Sequence, residues 1–183
     1  MNGRQAGVSL VEVLVTMVIL AIGLLGVMGL QARLQQSEME AYQRSQALLL
    51  LDDMASRLAA NRNAAASYVT GSANPLGAGM TCPTATATQQ QRDAKEWCEA
   101  LQGAAEISDA SRVGAMIGGR GCVESLGSGQ YLITVAWQGM APLSAPVAGT
   151  TCGRNLYDGG TGSQCTDDRC RRVVTTLVRI APL

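Results

Sequence analysis

The apolar run from Val8 to Leu30 constrains this chain more than any other feature. It covers 23 residues and holds a single charge, Glu12. About 20 consecutive apolar residues in a helix cross the hydrocarbon core of a bilayer, so the run predicts a membrane-spanning helix. A carboxylate inside such a run is costly and marks a functional position. Ahead of the run lie a short polar leader with one basic residue, Arg4, and the small pair Ala6-Gly7.

A secretory signal would carry a shorter apolar stretch with a small-x-small cleavage site after it. Here the small pair precedes the run, and no such site follows Leu30. A plain, uncleaved anchor for a periplasmic binding protein fits the length but gives Glu12 no role. Taken together, Gly7, Val8 and Glu12 in AG/VSLVEVLV resemble the class III leader of type IV pilins and pseudopilins. The resemblance implies that a prepilin peptidase cuts after Gly7 and methylates the amine of Val8. It also implies that Glu12 pairs, in the filament, with the free N-terminal amine of a neighbouring subunit. Val8 stands where the family usually has phenylalanine, a position that tolerates change. The longer run SLVEVLVTMVILAIGLLGVMGLQ is most similar to the PilV-type minor pilins.

On that resemblance residues 1–7 are a cleaved leader, 8–30 a transmembrane and filament-core helix, and 31–62 the amphipathic half of a spine helix. Residues 63–183 would be a periplasmic head. The fold class expected is α+β: a long N-terminal spine packed on a small antiparallel sheet, with a disulfide-stapled head. The implied function is that of a minor pilin that helps to prime a type IV pilus and supports adhesion or twitching motility. A minor pseudopilin of type II secretion is the alternative. Partners would be other pilins and minor pilins, the prepilin peptidase, and the inner membrane before assembly, with the mature subunit then on a cell-surface pilus.

The rest of the sequence supports the division. The 14 basic and 14 acidic residues cancel, whereas a nucleic-acid partner calls for a basic stripe. No histidine is present, which removes the commonest general base and metal ligand. No catalytic residue is expected, and the chain does not read as an enzyme. Six cysteines, Cys82, Cys98, Cys122, Cys152, Cys165 and Cys170, all follow the apolar run. Without a C-x2-C pair or a histidine they read as disulfides of an oxidising compartment rather than a zinc site. Six cysteines allow 15 pairings. Cys82–Cys98 is the expected pair, and the order among the other four stays open.

A breaker-free stretch from Gln31 to Arg62 continues the helix, giving about 80 Å from residue 9 to 61 at 1.5 Å per residue. Leu48, Leu51, Ala55 and Leu58 form its expected buried stripe. Gly23, Gly26 and Gly29 recur at every third position, and small residues let membrane helices approach closely. Residues 63–91 read as a loop and 92–107 as a short second helix with Trp97 and Leu101 facing the core. Glycines at 114, 118, 119 and 121 lack the lysine and serine or threonine of a phosphate loop. A short strand near Cys122 to Leu126, a GSG turn, then strands over 130–138 and 172–181 complete the sheet. Asp158, Asp167 and Asp168 in the loop YDGGTGSQCTDDRC are weak calcium candidates; no other cofactor is expected.

Overall fold

In a computed structural model the chain divides into two compact units, residues 1–39 and 40–183. The described residues are 9–104, 107–108, 111–112 and 116–181. Helix α1 spans Leu10–Ala60. In the first unit every described side chain is exposed. This part of α1 is long and apolar enough to cross a membrane. In the second unit α1 becomes a core element that buries Gln43, Ala47, Leu51, Met54 and Leu58. That stripe differs from the expected one: Leu48 is 43% exposed and Ala55 only partly buried. Ala47 and Met54 are buried in their place.

The architecture is α+β and pilin-like. After α1 the chain makes a 3₁₀ helix over Arg62–Tyr68, within the stretch expected to be loop. A two-residue strand β1 follows, Leu76–Gly77, and then helix α2, Gln89–Leu101. Helix α2 starts three residues before the expected position because Thr88 and Gln91 form a reciprocal capping box, which satisfies two otherwise orphaned amides. It ends at Leu101 rather than 107, with Gly103 at φ +82° closing the turn. A small hairpin pairs β2, Ile107–Ser108, with β3, Ser111–Arg112. The main sheet adds β4, Arg120–Gly127, β5, Gln130–Gln138, and β6, Arg171–Arg179. Its order is β1-β4-β5-β6 and every pairing is antiparallel. The β4–β5 hairpin turns through Ser128 and Gly129, both at positive φ, the combination of a type I′ turn.

Tyr131, Ile133, Val135 and Trp137 of β5 face the α1–α2 core as alternation requires. Thr134 and Ala136 point the other way yet are also fully buried. They lie under the segment 139–170, which forms a third layer on the far side of the sheet. The Cys122–Cys152 bond ties that layer to β4. The buried Arg171 guanidinium donates to the carbonyls of Thr150 and Cys152 at 2.9 and 3.0 Å and pairs with Asp168 at 3.1 Å. Replacing both Cys122 and Cys152 by serine frees a loop with a sequence separation of 30. The expected cost is about 3–4 kcal/mol, read as a lower unfolding midpoint in urea.

A polar cluster fixes the end of α1 against α2. Arg57 pairs with Asp53, Asp93 and Glu96 at 2.9, 3.0 and 2.7 Å. Asp93, 3% exposed, also accepts hydrogen bonds from the Tyr68 hydroxyl and the Gln89 amide. Burial alone would raise the Asp93 carboxyl, but the bonds from Tyr68, Gln89 and Arg57 outweigh it and hold the group below its ordinary value. Burial and the bond to Asp93 push the Tyr68 phenol up to about 12. A carboxyl lowered in the folded state adds stability above its unfolded value, about 3.9, and loses it as pH falls through the folded value. Thermal midpoints of the wild type and Asp93→Asn should therefore differ at neutral pH and converge below about pH 4.

Candidate assembly segment

The segment runs from Ser9 to Leu30. The amides of Glu12 and Val13 both donate to the Ser9 carbonyl, at 3.0 and 3.2 Å, which starts α1 and sets Glu12 in its first turn. There the carboxylate faces the positive end of the helix dipole. Glu12 is exposed and has no ion pair among the described residues. Gly7 and Val8, the expected cleavage position and new N-terminus, lie outside the described residues.

The surface around Glu12 is almost wholly apolar. Leu10, Val11, Leu14, Met17, Leu20, Leu24, Leu25 and Leu30 are each more than half exposed. Such a surface is not stable in water and calls for lipid or other helices. A Cβ built on Gly23, Gly26 or Gly29 would meet nothing within 4 Å. The fold of this chain therefore does not require glycine at those positions, and their small size is available to a neighbouring helix.

Cys82 bonds Cys98, Cys122 bonds Cys152 and Cys165 bonds Cys170. The first is the pair expected from the sequence; the other two resolve the order that the sequence left open. No cysteine is free, and the sequence has no histidine. Two of the three aspartates of the late loop are engaged by other groups of the chain. Asp168 accepts the Asn155 amide at 2.7 Å and pairs with Arg171, while Asp158 accepts the Asp168 amide at 2.8 Å. Asp167 is exposed. Among the described residues no group of three or more His, Cys, Asp or Glu side chains is placed to hold a metal ion. Sequence reasoning saw the aspartates and overlooked Arg171, whose position three residues after Asp168 was the available signal.

Residues 2–28 match the family model of the prokaryotic N-terminal methylation motif. The N-terminus is thus of the prepilin type, which supports the type IV pilin and pseudopilin superfamily. It implies processing by a prepilin peptidase and assembly with other pilins as a structural subunit. No curated protein and no solved structure matches the chain.

Proposed function

We propose that the chain is a minor subunit of a type IV pilus, of the PilV type. The observation that carries the reading is a lone carboxylate, Glu12, in the first turn of an exposed apolar helix inside a methylation motif. The precursor is held in the inner membrane of a Gram-negative cell by residues 8–30, with the disulfide-stapled head in the periplasm. Cleavage after Gly7 frees the amine of Val8. In the filament that amine meets Glu12 of a neighbour and neutralises it, so only processed subunits assemble. Three glycines on the helix allow close packing in the filament core. As a minor component the subunit helps to prime assembly and supports adhesion or twitching motility.

The test is to shear surface filaments from the native host and probe them for the chain. The reading expects the chain in the sheared fraction at a small ratio to the main subunit, and fewer filaments when its gene is deleted. Normal filaments after deletion, with a defect in protein secretion instead, would replace this reading by that of a secretion pseudopilin.

A further inference from the structure

The two edges of the main sheet are unlike. On one side β1 is two residues long. On the other, β6 pairs with β5 in nine uninterrupted steps and has no strand beyond it among the described residues. The register fixes which backbone groups face outward. Gly139 donates to the Cys170 carbonyl and Ile180 to the Gly129 carbonyl, at 2.7 and 2.8 Å. Gln138 with Arg171 and Gln130 with Arg179 are therefore pairs of the non-hydrogen-bonded kind. By alternation Arg172, Val174, Thr176 and Val178 direct their amides and carbonyls to β5. Val173, Thr175, Leu177 and Arg179 direct theirs outward. None of these four outward amides has a partner among the described residues.

Proteins protect such edges with lysine, proline, bulges or a covering segment. From Val173 to Val178 β6 has no charge, proline or glycine. The bulge in this sheet lies between β4 and β5. Val174 and Val178 face the core but remain only partly buried, and Leu177 is 53% exposed on the opposite face. An added strand would cover the valines. The edge also carries a charge pattern. Asp168 is held by Arg171 and Glu40 by Arg172. Asp167 shares a turn with Arg169 and offsets it in part. At the far end Arg179 has no ion pair among the described residues, and Arg62 donates only to the Ala181 carbonyl. Two-fold pairing with a second copy about Thr175 would set Arg179 opposite Arg171, whose charge Asp168 already takes up, and would leave Arg179 and Arg62 without a carboxylate partner.

We propose that the outer edge of β6 is a docking edge for a strand from a different polypeptide. The occupant is an extended segment, apolar at alternate positions, with a carboxylate side chain at the end nearest Arg179 and Arg62. Main-chain bonds to Val173, Thr175 and Leu177 supply affinity and the alternate side chains supply selectivity. This inference is independent of the proposed function.

The probe is a fluorescent peptide of sequence Glu-Val-Thr-Val-Thr-Val-Thr, titrated onto the detergent-solubilised full chain. Saturable binding is expected, with slowed hydrogen exchange at Val173, Thr175 and Leu177 beyond any change at Val174 and Thr176. Of two peptides N-methylated on alternate amides, one should bind at least about tenfold more weakly, since each lost bond is worth about 1 kcal/mol. Thr175→Pro removes an outward amide without touching the bonds to β5, and should weaken the unmodified peptide similarly. Arg179→Glu should reverse the preference for glutamate over lysine at the peptide terminus. Absence of saturable binding, or equal binding of both methylated peptides, overturns the proposal. A concentration-dependent dimer with these amides already protected would assign the edge to a second copy and also overturn it. The methylated peptides need no substitution in the protein, so a misfolded Thr175→Pro would not blur the result.

Discussion

Replacing Glu12 by alanine is expected to leave processing intact and to remove the subunit from filaments. The carboxylate lies in the first turn of α1 and has no ion pair among the described residues. In the proposed filament its partner is the amine of Val8 on a neighbouring subunit. Removing one member of a buried pair leaves the other charge uncompensated, at a cost of about 3–5 kcal/mol. A loss of that size lowers incorporation by roughly a hundredfold or more. Glu12→Gln keeps shape and hydrogen bonding but not charge, and should fail nearly as badly. The measurement is the ratio of the chain in sheared filaments to the chain in membranes, together with the mass of the membrane form. Processed Glu12→Ala subunits in filaments at the wild-type level would show that the carboxylate does not direct assembly.

Trp97→Ala is expected to be the most damaging single truncation in the head. The indole is fully buried, and its Nε1 donates to the Leu50 carbonyl at 2.8 Å, which joins α2 to α1. Its ring lies directly against β4: a Cβ added at Gly121 would come within 2.2 Å of Trp97 Cη2. Removing the ring opens a cavity among three elements that cannot all collapse into it, and such truncations cost about 3–5 kcal/mol. That is a large share of a typical domain's stability of about 5–15 kcal/mol. Urea unfolding followed by circular dichroism should show a lower midpoint with little change in slope. Gly121→Ala should approach the same result by displacing the ring. A cost below about 1 kcal/mol would mean that the indole is not the contact that locks α2 to the sheet.

The elements that were legible in the sequence are those whose pattern has one period and one cause. Strand β5 occupies Gln130–Gln138, as its alternation predicts, and α1 spans Leu10–Ala60 against the expected 9 to 61. In the buried stripe of α1, Leu51 and Leu58 were legible, while Leu48 was expected in place of Ala47 because leucine outweighs alanine in hydrophobicity. In the structure Ala47 is fully buried and Leu48 is 43% exposed. The capping box of Thr88 and Gln91 was readable as a motif, but the glutamine run around it looks like low-complexity loop. The third layer was not readable. A buried arginine such as Arg171 looks like any surface charge until its carbonyl and carboxylate partners are in place. The same holds for the amide and guanidinium partners of Asp158 and Asp168, which come from other parts of the late loop and from Arg171.

The central claim is that this chain is a processed pilin-type subunit. Its most direct test is the unreduced intact mass of the protein from its native host, with its N-terminal peptide sequenced. The account predicts a chain that begins at an N-methylated Val8, lacks residues 1–7, and is lighter by two hydrogens for each of the three disulfides. A mature chain still beginning at or near Met1 would contradict it, and residues 8–30 would then be an ordinary membrane anchor.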